Sequence, residues 1–516
     1  MDEKKALVLT GRLCAKPLHR LVDPGKGEIL ELPIEVAALM NPEIIRHQLL
    51  GLDLTGYDYV MVPGALKFDL EMLESQLGLP FYLGPTHYVD VPMVLENLDK
   101  SQLSKTSPAD LVLKDLLRNR TRDFYRSAES TDLKSEIVIG KGKGSIPIGG
   151  SLPPRIVGEI VDAPGKDVYE ILTEAKHLAR SGASIIDIGM VPGRDDLDFI
   201  DVIVPLIKRD LDVPVSVDTL REEEILAAAD AGADLILSIC GSTLDIVPSL
   251  DLPVVIVPLE SVDSARPKSG RERLEMITRF ACKLHNTEII ADPLLEPLGL
   301  GFSRSIGNYL GLGECLPDTP FLMGVGNVTE LADADSIGMN ALLAGIAVET
   351  KASLLLNTEN SPKTRGSTGE LRAACEMMYY AVQNQVPPKN LGLNLLRFKE
   401  KVSRDFPVNI PRERVLVDPF DDAPASLDGG IFHITILNSK IHAIFRGDNR
   451  EVDIIGSDAD AIVSELESQG ILPGPRHSFY LGSELKKAEI ALRTGRSYVQ
   501  DELLFEGSDE NEKDKD

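Results

Sequence analysis

Cysteine is scarce in this sequence, and the few cysteines form no pattern. There are five in 516 residues, widely spaced and odd in number: Cys14, Cys240, Cys282, Cys315 and Cys375. No two of them make a C-x-x-C pair, so a disulfide framework and a zinc ribbon are both excluded. We therefore expect the chain to work in a reducing cytoplasm.

Positive charge and long apolar runs are also in short supply. Lys and Arg number 54 against 81 Asp and Glu, which gives a net charge of −27 and argues against a nucleic-acid partner. No apolar run approaches the roughly 20 residues of a membrane span, and the opening MDEKKALVLTG lacks the apolar stretch of a signal peptide. The eight histidines form no His-x-x-x-His pair, so no metal centre is predicted.

The chain is long enough for two to four domains, and its segments differ in pattern. Short strands alternate with helices in the first segment and predict a small α/β domain, whereas three strand-like pieces followed by two helical ones predict an α+β module near the end. A charged, then glycine-rich stretch reads as a linker, and the last ten residues read as an acidic tail. The predicted boundaries are 1–120 for the α/β domain, 121–152 for the linker, 153–386 for a central domain, 406–501 for the α+β module and 507–516 for the tail.

The central domain contains eight apolar strand-like runs with helical segments between them. Their starts lie near Arg155, Ser184, Pro214, Asp234, Pro253, Glu288, Pro320 and Ala352. These runs are mostly apolar rather than strictly alternating, as buried parallel strands are. We therefore predict an α/β fold whose centre is a (β/α)8 TIM barrel. A doubly wound open sheet is the alternative, but it rarely needs eight similar units.

Polar side chains end or follow these otherwise apolar strands, where a barrel of this type places its active site. The set in chain order is Asp162, Asp187, Asp218, Ser238, Glu260, Asp292, Asn327 and Asn357. Arg194 and Arg304 are the cations expected near them. An acidic cup of this kind suits a donor-rich heterocycle, because a carboxylate can accept two parallel hydrogen bonds from a guanidine-like edge. The pterin ring has such an edge.

The runs GASIIDIG (182–189), PVSVDT (214–219), AAADAGADLI (227–236) and ADP (291–293), in this order, resemble the pterin-binding superfamily. That superfamily includes dihydropteroate synthases and methyltetrahydrofolate:corrinoid methyltransferases. With its flanking domains, the whole chain is similar to the dihydropteroate synthase-related proteins of methane-producing archaea. The resemblance implies that Asp218 and Asp292 hold the pterin and that Asp187 shapes the floor of the pocket. Asp162, Ser238 and Arg194 are further candidates for contact with the substrate.

The resemblance also separates the two branches. Dihydropteroate synthases carry Ser-Arg-Lys after the seventh strand and Arg-x-His at the end of the eighth, whereas this chain has GVGNVT, with Val328 in the place of the lysine, and LLLNTEN. The methyltransferase branch has D-P-L-x-x-P and G-x-x-N-V, and this chain has DPLLEP (292–297) and GVGNV (324–328). By this resemblance Asn327 is the catalytic residue, acting at N5 of the pterin.

Three functions follow as hypotheses. The first is transfer of a one-carbon (methyl) group from or to a reduced pterin of the tetrahydromethanopterin or folate type, with a separate corrinoid or other methyl-acceptor protein as partner. The second is a condensation of the dihydropteroate synthase type, and the third is a non-catalytic pterin carrier or regulatory subunit. We expect a homo-oligomer. Structural roles stay open for the site residues, since Asp218 and Asp292 could cap helices and Asn327 could be a turn residue.

Overall fold

The computed structural model describes residues 5–130, 137–193, 196–264, 269–397, 430–447 and 450–505. The chain divides into two compact units, of which the first comprises residues 1–360 and 366–399 and the second comprises residues 361–365 and 400–516. Arg194 and the acidic tail lie outside the described residues. Among the residues that are described, no helix is both long and apolar enough to cross a membrane.

The first unit begins with a parallel four-stranded sheet whose order is β2-β1-β3-β4. Its strands are β1 (Lys5–Thr10), β2 (Gly27–Glu31), β3 (Tyr57–Val62) and β4 (Phe81–Leu83). Its helices are α1 (Arg12–Leu21), α2 (Pro42–Leu49), α3 (Glu71–Leu77) and α4 (Val91–Asn97). Helix α2 begins as its sequence indicates, because the Asn41 side chain accepts a hydrogen bond from the Ile44 backbone N–H at 2.9 Å.

The stretch expected to be a plain linker has regular structure. Helix α5 (Lys114–Ser130) takes up its first part, and β5 (Ile137–Ile139) pairs antiparallel with β6 (Ile146–Ile148). The charged residues of α5 form ion pairs with the central domain, and the glycines allow the hairpin to turn at positive φ. A sequence rich in charge and glycine is typical of a connector, but here the charged part is a helix and the glycine-rich part is a hairpin, and both pack on the barrel.

The central domain is a closed barrel of eight parallel strands in chain order, which confirms the predicted TIM barrel. The strands are β7 (Arg155–Ile160), β8 (Ile185–Gly189), β9 (Val215–Asp218), β10 (Leu235–Ile239), β11 (Val254–Ile256), β12 (Ile289–Ala291), β13 (Phe321–Gly324) and β14 (Ala352–Thr358). All eight predicted starts fall within one residue of these bounds. Strand β14 pairs with β7 and closes the cylinder.

Helices cover the outside of the barrel. They are α6 (Val168–Ser181), α7 (Leu197–Asp210), α8 (Glu222–Asp230), α9 (Gly270–Lys283), α10 (Phe302–Cys315), α12 (Ser336–Thr350) and α13 (Ser367–Asn384). The short helix α11 (Gly326–Thr329) follows β13 at the carboxyl end of that strand. A 3-10 helix over Gly241–Ser249 connects β10 to β11. Helix α6 shows how the sequence sets its ends, since Asp167 and Glu170 form a capping box and Gly182 ends it at φ 115°.

The second unit contains an antiparallel sheet in the order β15-β16-β17, followed by two helices. The strands are β15 (Ile431–Leu437), β16 (Lys440–Gly447) and β17 (Arg450–Gly456), and the helices are α14 (Ala459–Ser468) and α15 (Pro475–Thr494). One face of the sheet packs on the helices through residues such as Phe432, Phe445 and Leu485. This arrangement is the one that the alternating strand pattern and the helical periodicity predict.

Candidate functional site

The inward-facing positions of the barrel change from apolar to acidic toward the carboxyl ends of its strands. Val157, Ile185 and Ile290 belong to the apolar cluster inside the barrel. Because side chains of a strand alternate between its two faces, the residue two positions further on also points inward. Those residues are Glu159, Asp187 and Asp292. The mouth of the barrel is therefore lined by carboxyl groups, and the interior below it is lined by apolar side chains.

Two of these carboxyl groups form a cluster with Asp218, which ends β9, and we call Glu159, Asp187 and Asp218 the acid trio. Each offers one carboxylate oxygen, and the three oxygens lie within 4.8 Å of one another. The strand register brings them together, since Glu159 of β7 is opposite Asp187 of β8, and Gly189 of β8 is opposite Asp218 of β9. Asp187 is fully buried, whereas Glu159 and Asp218 are partly exposed.

Hydroxyl groups support two members of the acid trio. The Ser216 hydroxyl donates to Oδ1 of Asp187 at 2.5 Å, and the Ser238 hydroxyl donates to Oδ1 of Asp218 at 2.6 Å. Oδ2 of Asp187 is buried and has no hydrogen-bond partner among the described residues. No Lys or Arg within the described ranges forms an ion pair with any of the three.

Burial raises the pKa of every carboxyl group in the trio, and repulsion by neighbouring carboxylates adds to the rise for Asp187 and Glu159. Desolvation is the largest cause, and it raises the pKa of Asp218. For Asp187, desolvation and the charges of Asp218 and Glu159 together raise the pKa well above its usual range. The pKa of Glu159 rises to about 7, through burial first and then through the charges of Asp218 and Asp162. Three ionised carboxylates at this spacing repel one another strongly, so the trio favours a proton, a donor or a cation among them.

Asp292 follows β12 and faces the same mouth. Its Oδ1 accepts a hydrogen bond from the Leu294 N–H at 2.8 Å, and the buried Tyr309 hydroxyl donates to the same atom at 3.4 Å. The pKa of Asp292 rises to about 7, because burial and, to a smaller extent, the charge of Asp218 outweigh the lowering effect of these bonds. Asp292 thus ends in a turn, as a cap does, but its carboxyl group is also coupled to Asp218 across the mouth.

The loop after Asp292 is tied down from several sides. Leu294 lies at φ 65°, a strained conformation for a branched residue, so the loop needs outside support. The buried Arg273 of α9 donates to the carbonyl oxygens of Pro293 and Leu294 and pairs with the Glu296 carboxylate. These contacts fix the turn that positions Asp292.

Asn327 lies in the short helix α11 and is exposed at the mouth. Its Nδ2 donates to the Leu295 carbonyl oxygen at 3.0 Å, on the loop that follows Asp292. One N–H of the amide is therefore engaged, and Oδ1 and the second N–H remain available to a ligand.

The remaining predicted residues have different environments. Asp162 is exposed at φ 50°, and its charge acts on Glu159. Ser238, at φ 71°, serves Asp218. Glu260 is exposed and pairs with Arg279, and Asn357 is fully buried and bonded to Ser367 and Thr368 of α13, so Asn357 has a structural role. Leu237 points into the barrel beside Asp218.

Sequence reasoning did not find Glu159 or Tyr309. Glu159 sits inside the run RIVGEIV, and its signal is its place two residues after the interior Val157. Tyr309 lies mid-helix in α10, where periodicity shows a buried residue but not its hydroxyl's bond to Asp292.

Family models match three parts of the chain. A family model described as Pterin binding enzyme matches residues 162–299, which include Asp187, Asp218 and Asp292. The model PterinBD-DUF4346 matches residues 427–501, and a family of unknown function (DUF6513) matches residues 4–86. The fold and this match define a pterin-binding barrel protein.

Full-length similarity gives the family. The chain is 34% identical to uncharacterized protein MJ0107 of Methanocaldococcus jannaschii, over 97% of this chain and 99% of that protein. It is 36% identical to the dihydropteroate synthase of Synechocystis sp. over 29% of this chain and 61% of that enzyme. A Yersinia pestis dihydropteroate synthase solved with a pterine-sulfa conjugate aligns with 48% of this chain and 100% of its own, at 18% identity and a TM-score of 0.38. The chain belongs to the archaeal dihydropteroate synthase-related pterin-binding proteins, as the sequence motifs predict.

Proposed function

We propose that the barrel mouth binds a reduced pterin through Asp218 and Asp292 and transfers a one-carbon (methyl) group from or to it. The observation that carries the proposal is geometric: Asp218 and Asp292 both occupy inward-facing positions at the carboxyl ends of their strands, at one mouth of the barrel. Burial there raises the pKa of each carboxyl group. A carboxylate in such a place gains most from a ligand that brings parallel N–H donors. The guanidine-like edge of a pterin is such a ligand.

The hydrogen bonds that the two carboxylates already accept indicate which of their oxygens is available to the pterin. Oδ1 of Asp218 accepts from Ser238, and Oδ1 of Asp292 accepts from Leu294 and Tyr309. On each residue Oδ2 has no bond within the described chain and is the oxygen we assign to the pterin. Arg273 positions Asp292 by holding the loop that follows it.

Asn327 acts at N5, the nitrogen of the carbon–nitrogen bond that reacts. With Nδ2 held by Leu295, its Oδ1 accepts a hydrogen bond from protonated N5 and so stabilises the cationic amine. The carbon–nitrogen bond then breaks with its electron pair left on N5, and the methyl group passes to a nucleophile on a separate acceptor protein, such as a corrinoid protein. A proton held in this way contributes about 10²- to 10⁴-fold.

A condensation of the dihydropteroate synthase type is the second candidate, favoured by the similarity to the Synechocystis enzyme. That reaction releases pyrophosphate, which cations stabilise. The segments 324–329 and 352–358, at the ends of β13 and β14, contain no Lys or Arg. The absence of cations there favours methyl transfer.

Ligand titration tests the proposal. The full chain is titrated calorimetrically with tetrahydropterin, N5-methyl tetrahydropterin and dihydropterin pyrophosphate. We expect the two tetrahydropterins to bind, and Asp292→Asn to weaken them about tenfold or more while the exposed control Asp318→Asn does not. Preference for the pyrophosphate would overturn methyl transfer in favour of condensation. If Asp292→Asn binds pterin as well as the parent does, Asp292 does not hold the pterin. Tight pterin binding without turnover, when corrinoid acceptor proteins are supplied, would favour a non-catalytic pterin carrier.

A further inference from the structure

The acid trio is more crowded than a pterin clamp requires. Asp218 and Asp292 suffice to hold the amine-bearing edge, yet Glu159 and Asp187 add two carboxyl groups on adjacent strands. Lys166 is the cation whose charge acts on Glu159, and Arg273 acts on Asp292, while Glu330 and Asp162 add further negative charge near Glu159. Within the described chain the trio therefore has little positive charge to balance it.

Asp187 supplies an independent observation. The residue is fully buried, and its Oδ2 has no hydrogen-bond partner among the described residues. A buried carboxylate oxygen without a partner costs roughly 1–3 kcal/mol or more, so native proteins rarely keep one. Asp187 is opposite Glu159 in the strand register, and one of its carboxylate oxygens lies within 4.8 Å of those of Glu159 and Asp218.

The spacing of the trio fits an oxygen-ligated cation. In an octahedral shell, ligand oxygens are about 3 to 4.2 Å apart around Mg²⁺ and about 3.4 to 4.8 Å apart around the larger Ca²⁺. The three oxygens here lie within 4.8 Å of one another. They come from three neighbouring rigid strands and leave the solvent side free for water, which both ions retain.

We propose that Glu159, Asp187 and Asp218 bind one hydrated divalent cation at the floor of the barrel mouth. The cation neutralises the trio and holds Asp218 ionised, so that its other oxygen can still receive a pterin N–H. The search for histidine pairs in the sequence misses this site, because it is built from carboxylates alone. The cation site itself depends only on the acid trio, so metal binding tests it whether or not a pterin binds.

Manganese is the probe, because the paramagnetic signal of its free hexa-aqua ion disappears on binding. The full chain is stripped of metal and titrated with Mn²⁺ in 0.15 M KCl, which screens the diffuse attraction of a protein with net charge −27. We expect one strong site per chain, from which Mg²⁺ and Ca²⁺ displace Mn²⁺. Asp187→Asn and Glu159→Gln should each weaken that site at least tenfold.

Glu349→Gln is the matched control. Glu349 is an exposed carboxylate at the end of α12, at the opposite end of the barrel, and its change to Gln should leave Mn²⁺ binding intact. Misfolding is tested separately, because bound Mn²⁺ should raise the melting temperature of the parent and of Glu349→Gln but not that of folded Asp187→Asn. A parent without a stoichiometric site, or trio variants that bind like the parent, would overturn the proposal. Asp292→Asn separates the two proposals, since it should lose pterin affinity but keep Mn²⁺.

Discussion

At the scale of single residues, Asp292 makes the fold less stable than it could be. Burial raises its pKa from 3.8 to about 7, so folding favours the protonated form. Below about pH 4 the group is protonated in both states and costs nothing. Between pH 4 and 7 the unfolded chain ionises first and stability falls. Above pH 7 the full cost remains, at most about 4 kcal/mol.

Asp292→Asn should therefore stabilise the protein at pH 8 and change little at pH 4. Its amide oxygen can still accept from the Leu294 N–H, so the turn survives. Urea unfolding at pH 4, 6 and 8 measures the difference, with exposed Asp318→Asn as control. A variant that is less stable than the parent at pH 8 would contradict the assigned cost.

In the proposed function, the same carboxyl group sets the pH dependence of pterin binding. The clamp needs ionised Asp292, and a pKa of about 7 means that the ionised fraction rises roughly tenfold from pH 6 to pH 8. We expect the affinity for a neutral tetrahydropterin to rise by about that factor and then level off. The measurement is the Kd at half-unit steps of pH. A flat profile in the parent would be the contrary result, and in Asp292→Asn this rise should be lost.

At the scale of elements, the β5–β6 hairpin is part of the barrel core. Ile137, Ile139 and Ile148 pack with the apolar residues inside the barrel, below the carboxyl groups. The hairpin therefore contributes to the packed core, although its glycine-rich sequence is typical of a connector. The alternation of buried Ile137, exposed Val138 and buried Ile139 is the pattern that indicates a strand, but three residues are too few for a prediction from sequence.

Ile139→Ala should destabilise the protein by about 3 kcal/mol, because it opens a cavity in a packed interior. Val138→Ala, on the exposed face of the same strand, should cost less than about 0.5 kcal/mol. Chemical unfolding gives both values. Equal effects of the two changes would show that the hairpin is not packed into the core of the barrel. Pterin affinity should be unchanged in both variants.

At the scale of the whole molecule, sequence predicts the repeating parts better than the joints. Eight apolar runs of similar length suffice for the barrel, since each strand is buried on both faces. The positions of Asp187, Asp218 and Asp292 follow from strand ends, but Glu159 sits within a run, and only the register shows that it meets Asp187. Helix α5 was missed because its charges look like a solvated linker until their partners on α13 are seen.

The joint between the N-terminal sheet and the barrel rests on Glu129 of α5. Its carboxylate pairs with Arg155 on β7 and accepts two hydrogen bonds from Arg372 on α13, at 2.7 and 2.9 Å. Arg372 also stacks over the buried ring of Tyr125, whose hydroxyl donates to the Pro154 carbonyl oxygen. One side chain thus links the end of α5 to two elements of the barrel.

Glu129→Gln should destabilise the sheet and the barrel together by about 2 to 3 kcal/mol, since it leaves the buried Arg155 without its charge partner and leaves Arg372 paired with Glu376 alone. Asp115→Asn, which removes an exposed pair with Arg118 on the same helix, should cost less than about 0.5 kcal/mol. The chain has no tryptophan, so Tyr82→Trp reports on the sheet alone and Phe302→Trp on the barrel alone. We expect both reporters to unfold at one urea concentration and to shift equally with Glu129→Gln. A shift seen only by the sheet reporter would mean that the barrel folds without this joint.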